Sequence, residues 1–194
     1  VVEAMLPWFS QHFGNPSSAD HWYGWMAKDA VDEARTEIGG LIGAKPEEVV
    51  FTSGATESIN LALKGIAASQ PQKRHIITCA TEHKAVLDTC SFLEESGYAI
   101  TRLATDAGGN ISLSALEDSI REDTLCVALM FANNETGLLH PVKSISNICQ
   151  KHNILFLCDA TQAVGKIPLD VKTLGIDLMA FSAHKMYGPK GIGA

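Results

Sequence analysis

Short apolar runs alternate along this chain with stretches whose apolar residues recur at helical spacing. The runs lie at 49–52, 75–79, 98–103, 125–131, 154–158 and 178–181, and the first is β-branched and aromatic (Val49-Val-Phe-Thr52). Between them, 27–42 carries Val31, Ala34, Ile38 and Leu41 on one face and closes on Gly43 and Pro46. Helical patterns recur at 59–66, from within 81–90 to about 95, at 113–120 and at about 142–151. Residues 170–174 read as one more short helix, and 1–13 as a helix that Pro7 kinks or divides. Strands alternating with helices give an α/β layered fold with a mostly parallel sheet.

Hydrophobic residues make up 46% of the 194 and charged residues 19%, enough apolar surface for one core. A formal net charge of -7 argues against a general binder of nucleic acid or anionic membrane. No apolar run approaches the length of a membrane span. The five cysteines show no CxxC spacing, and no metal site is assigned. Their odd count and scatter point to a reducing compartment, with Cys79, Cys126 and Cys158 as small core residues on strands. His21, Trp22, Tyr23 and Trp25 form an aromatic cluster read as packing or subunit contact.

In a parallel sheet the loops after the strands meet at one crevice. Five segments are expected there. Ser53-Gly-Ala-Thr-Glu-Ser58 turns from a strand into a helix, so the amides near Ala55 and Thr56 are free to hold an anion. His83 starts the helix after the second run, and Asn134 lies in Asn133-Asn-Glu-Thr-Gly137 after the fourth. Asp159 ends the fifth run with Gln162 close behind, and Ser182, His184 and Lys185 follow the last. Each has a plainer explanation when taken alone: a helix cap at Ser53 or Thr56, a polar helix start at His83, a turn at Asn134, a solvated lysine at 185.

Together they form a chemical set. A lysine beyond a buried strand can bond an aldehyde cofactor as a Schiff base, and pyridoxal phosphate is the usual one. The Ala55–Thr56 turn, Ser182 and His184 would grip its phosphate. Asp159, costly to bury unpaired, would keep the ring nitrogen protonated. Gln162 and Asn134 would bond the phenolic oxygen or nearby substrate, and His83 would lie over the ring and take part in proton transfer.

The motifs Phe13-Gly-Asn-Pro-Ser-Ser18, Phe51-Thr-Ser-Gly-Ala-Thr-Glu-Ser58, Thr81-Glu-His-Lys-Ala-Val-Leu-Asp88, Asn133-Asn-Glu-Thr-Gly137, Asp159-Ala-Thr-Gln162 and Ser182-Ala-His-Lys-Met-Tyr-Gly-Pro-Lys-Gly191 carry a resemblance over essentially the whole chain. It resembles the cysteine desulfurases of the NifS/IscS type, class-V aminotransferases of pyridoxal phosphate fold type I. The resemblance implies a three-layer α/β/α large domain over 1–194, lacking the family's N-terminal strand and small C-terminal domain. It implies that Lys185 and His83 are catalytic. It also implies that Ala55, Thr56, His83, Asn134, Asp159, Gln162, Ser182, His184 and Lys185 hold the cofactor.

The implied reaction converts L-cysteine to L-alanine, with sulfur passing as an enzyme persulfide to iron–sulfur cluster assembly or tRNA thiolation. A homodimer, an iron–sulfur scaffold or other sulfur-acceptor protein, and a cytoplasmic or organelle-matrix setting follow from the same likeness, with no direct nucleic-acid binding and no membrane. The family's nucleophilic cysteine and its substrate-carboxylate arginine lie well beyond the lysine. None of the five cysteines matches that nucleophile, so the chain is expected to be a piece of a longer enzyme. A selenocysteine lyase, another class-V enzyme, or a non-catalytic scaffold for sulfur-transfer partners remain open at this point.

Overall fold

The computed structural model describes residues 1–194. Five strands form one sheet: β1 (His75–Cys79), β2 (Ala99–Leu103), β3 (Thr124–Met130), β4 (Leu155–Asp159) and β5 (Leu178–Ala180). They lie in the order β2-β1-β3-β4-β5, every neighbouring pair parallel. Parallel neighbours need long crossovers, and helices supply them. Seven helices result: α1 (Val2–Ser10), α2 (Trp22–Ile42), α3 (Ala55–Ser69), α4 (Lys84–Glu95), α5 (Leu113–Asp118), α6 (Val142–Lys151) and α7 (Val171–Leu174).

Successive residues of a strand point to opposite faces, so each strand feeds two cores. Ile76, Cys126, Ala128 and Leu157 face α3 and α4, meeting Ile59, Leu63, Val86, Cys90 and Leu93. Ile77, Val127, Leu129 and Phe156 face the other way, meeting Leu116, Ile145, Cys149 and Ile42. The result is three layers, α/β/α, as expected. All five cysteines are buried in these layers. No helix is long and apolar enough to cross a membrane.

The chain leaves β1 for β2 on one side and then returns to β3 on the other. That reversal opens a crevice beyond the carboxyl ends of β1 and β3, where ligands bind in sheets of this kind.

Three expectations need correction. Residues 49–52 form no strand. A 3-10 turn (Pro46–Glu48) leads into them, and only Thr52 pairs, in an isolated antiparallel bridge with Gly193. β-branched composition favours extended backbone, but a strand also needs a partner along its length, and Val50 is exposed here. The second correction is that α2 begins at Trp22, earlier than its apolar face indicates, because His21 caps it: its Nδ1 accepts from the Gly24 amide at 3.2 Å. The aromatic cluster is therefore this helix's first turn, and Trp22, Tyr23 and Trp25 stay exposed instead of joining the core. Lastly, α1 runs unbroken through Pro7, ends at Ser10 and buries no residue.

Candidate active site

The nine residues singled out from the sequence line one hollow of about 150 Å³: Ala55, Thr56, His83, Asn134, Asp159, Gln162, Ser182, His184 and Lys185. They come from five separate segments, each just past a strand end or at a helix start. A larger hollow of about 500 Å³ lies between β5 and residues 42–52, but its walls are mostly apolar and include none of the nine. Convergent polar chemistry makes the smaller one the candidate site.

The end of α3 is built for an anion. Gly54 precedes it at φ 154°, a conformation that side chains rarely adopt. The Ala55 amide donates to Ser182 Oγ at 2.8 Å, while the Thr56 and Glu57 amides donate to nothing. Ser182 accepts that bond, so its own hydroxyl hydrogen is free for an oxygen in the hollow. Glu57 turns back instead, its Oε2 accepting from the Ser53 amide at 2.6 Å, and this bond holds its carboxyl below the usual range.

Gly193 fixes this turn against the lysine segment. It bridges Thr52 and Ser182, and a Cβ on it would lie 2.6 Å from Gly54 Cα. Beyond Ser182 a 3-10 turn (Ala183–Lys185) lifts His184 and Lys185 to the rim. Both are exposed, and Lys185 makes no ion pair.

Asp159 forms the floor, 7% exposed. Its Oδ1 accepts from the Thr161 amide at 3.0 Å, and its Oδ2 has no partner. A nearly buried carboxylate with an open oxygen fits a cationic group on a ligand. His83 caps α4, its Nδ1 accepting from the Ala85 amide at 3.1 Å. In the neutral ring that bond leaves the hydrogen on Nε2. The cap engages Nδ1 of His83, a residue that also lines the hollow. Gln162 Oε1 accepts from Lys166 Nζ at 2.7 Å, which leaves the Gln162 amide nitrogen as the donor for the hollow.

The donor set fits pyridoxal phosphate: amides and a hydroxyl for the phosphate, a free carboxylate oxygen for the ring nitrogen, an amide donor for the phenolic oxygen and a primary amine for the aldehyde. The Thr161 hydroxyl, also in the wall, is buried without a partner and adds one more orphan that a ligand can satisfy.

Thr161, Met130 and Ala132 line the hollow without having been singled out, although Thr161 sits inside the Asp159-Ala-Thr-Gln162 motif. Two supporting residues also escaped notice. Asn133 Oδ1 accepts from the Glu135 and Thr136 amides at 2.9 Å each, and its Nδ2 donates to the Thr81 carbonyl at 3.2 Å. Glu82 is buried at 6% exposure beside His83.

The description "Aminotransferase class-V" matches residues 1–194. The chain belongs to the class-V aminotransferase family. Its relatives within this family include a protein from Shewanella woodyi named cysteine desulfurase IscS, 55% identical over 197 residues, covering 100% of this chain and 49% of that protein. One of the same name from Anaeromyxobacter is 50% identical over 195 residues, covering 100% of this chain and 48% of that one. Among solved structures, a NifS-like protein superposes with a TM-score of 0.95 at 42% identity, over 99% of this chain and 53% of the other. One titled "SspA in complex with cysteine" gives 0.96 at 44% identity, over 99% and 55%. This class-V chain spans about half the length of the curated relatives it matches.

Proposed function

We propose that residues 1–194 form the cofactor-binding large domain of a cysteine desulfurase, with Lys185 and His83 catalytic and the other seven residues holding pyridoxal phosphate. The reaction takes L-cysteine to L-alanine and passes the sulfur to an enzyme cysteine as a persulfide. The observation that carries this reading is the meeting of all nine residues in one hollow. The names of the relatives and the cysteine in the SspA title support the choice of substrate.

When bound, pyridoxal phosphate supplies an electron sink for negative charge on the substrate carbon. The chain's own residues do the rest. Asp159 Oδ2 would offer the ring nitrogen an opposite charge, which favours its protonated form. The Thr56 and Glu57 amides and the Ser182 hydroxyl anchor the phosphate at the positive end of α3. Lys185 Nζ would hold the aldehyde as a primary amine and, when free, would move protons on the substrate. His83 Nε2–H lies at the rim to assist.

The five cysteines of this chain do not form the persulfide. Burial pushes the thiols of Cys90 and Cys149 up to about 12 and those of Cys126 and Cys158 higher still, an attacking sulfur must be a thiolate, and Cys79 is fully buried on β1 out of a substrate's reach. The nucleophile therefore belongs to a part of the protein outside 1–194. The exposed Phe9, Phe13, Trp22, Tyr23 and Trp25 support a covering surface, either a second subunit of a homodimer or the small domain. The sulfur acceptor is a scaffold for iron–sulfur assembly or tRNA thiolation, in the cytoplasm or an organelle matrix.

The test uses the full-length protein. Its visible band in the presence of pyridoxal phosphate should be fixed by borohydride onto the peptide carrying Lys185, and L-cysteine should yield alanine and a protein persulfide. A band with no alanine from L-cysteine refutes the desulfurase. No band in well-folded protein refutes the cofactor and favours a scaffold.

A further inference from the structure

Beside the hollow, Glu82 is the most deeply buried carboxyl that the mechanism leaves unused. It sits between β1 and His83, and its Oε1 accepts from the Met130 amide at 2.8 Å, at the end of β3. That single bond spans the crevice where the strand order reverses. Its other oxygen, Oε2, is buried and meets no partner.

The groups around Glu82 are all anionic or neutral. The Asp159 charge acts on it from β4, and its own charge would act on the buried thiols of Cys158 in β4 and Cys90 in α4. His83 follows it in the chain. No salt bridge includes Glu82, and Arg102 of β2 pairs with Glu94 at 2.7 Å. Asp159 is close because it is the register partner of Met130.

We propose that Glu82 is a positioning residue that works as an un-ionised carboxyl, clamping the turn that carries His83 to the end of β3 and leaving Asp159 as the one anion of the floor. The proposal rests on the cofactor reading of the hollow for its second half. Two geometric facts support the first. The turn is held at two points just before His83, by Glu82 on Met130 and by Asn133 Nδ2 on the Thr81 carbonyl, and the Ala85 amide bond to Nδ1 holds His83 from the helix side. Moreover, a carboxylate at Glu82 would bury a full charge with one oxygen that meets no partner, whereas the protonated acid buries only a neutral hydroxyl there, at a smaller desolvation cost.

Burial and the nearby Asp159 charge both push Glu82 well above the usual carboxylate range, and the Met130 bond only partly opposes them. The neutral state has a purpose. Two ionised carboxyls side by side would repel each other and share any cationic ligand group between them. With Glu82 neutral, the Asp159 charge is undivided.

Glutamine mimics the protonated acid, with one acceptor and one donor in the same shape, whereas leucine keeps bulk but loses both. In cofactor-free protein near neutral pH, infrared spectroscopy should find the carbonyl stretch of a protonated carboxylic acid, and Glu82→Gln should remove it. In the cofactor-loaded full-length protein, Glu82→Gln should keep the dissociation constant and the pH titration of the visible band. Glu82→Leu, which leaves the Met130 amide buried and unpaired, should weaken cofactor binding about tenfold.

Absence of the infrared band in the wild type overturns the proposal. So does a glutamine variant whose visible band titrates differently or whose cofactor binds as weakly as in the leucine variant, because Glu82 would then be acting as an anion. A wild-type protein that takes up no pyridoxal phosphate refutes the reading of the hollow, while the infrared comparison still decides the state of Glu82.

Discussion

Replacing Ser182 with alanine separates the two tasks assigned to its hydroxyl. Ser182 Oγ accepts from the Ala55 amide at 2.8 Å, and both residues are buried. The change leaves Cβ in place, so no sizeable cavity opens. What is lost is the partner of a buried N–H, which costs about 1–3 kcal/mol. For a chain of this size that is a fall in Tm of about 2–12 °C.

The second task is donation from the hydroxyl to the cofactor phosphate, a charge-assisted bond worth about 1.5–3 kcal/mol. The freed Ala55 amide can then turn to the phosphate, which offsets part of the loss. The dissociation constant of pyridoxal phosphate should therefore rise about tenfold, the lower end of that range. Urea unfolding of cofactor-free protein reads the first effect, and titration of the visible band reads the second. A variant that loses stability but binds the cofactor within about twofold of wild type would refute the phosphate role and leave Ser182 as a helix cap. A variant unchanged in both would refute the bond itself.

Acid should destabilise the fold through two buried histidines. His75 Nδ1 and Nε2 bond the Thr124 and Thr101 hydroxyls at 2.8 and 2.9 Å, and His140 is buried with no partner on either nitrogen. Burial lowers both from the ordinary 6.5. The unfolded chain therefore takes up protons first, so their contribution is complete above about pH 6.5 and is lost as pH falls through it. Urea midpoints from about pH 8 to pH 5.5 should drop, and less steeply in His75→Asn. A flat profile refutes the assignment. In native protein none of the five buried thiols should react with a soluble disulfide reagent near pH 8, and all five should react in denaturant; a fast-reacting native thiol among them contradicts the burial argument. Gly193→Ala should lower Tm and weaken phosphate binding together, because its Cβ would lie 2.5 Å from Phe181 O and 2.6 Å from Gly54 Cα, backbone that cannot yield locally. Loss of stability with unchanged phosphate affinity would separate Gly193 from the anion turn.

Patterns that depend on neighbours along the chain were legible from sequence. Ile145, Ile148 and Pro141 define α6 by spacing, and the structure gives it the bounds Val142–Lys151. The strands with apolar residues at almost every position, such as β3, are those buried on both faces. The site was legible for a related reason. In a parallel sheet every strand end delivers its next few residues to one edge, so residues far apart in sequence needed only their positions relative to strand ends to be grouped.

What escaped depended on partners the sequence does not name. Val49-Val-Phe-Thr52 has strand composition, yet only Thr52 finds a partner, and that partner is Gly193 at the far end of the chain. Trp22 and Trp25 have core composition, yet they lie on a helix face that nothing in these residues covers. Glu82 escaped for the opposite reason. A glutamate before a histidine at a helix start reads as solvated, and only the fold reveals that the Met130 amide pulls it inside. The same long-range contact that hid Glu82 from the sequence joins β1 to β3 across the crevice. A residue of this kind is recognised by asking which buried amide at a strand end lacks a backbone partner and which side chain supplies it.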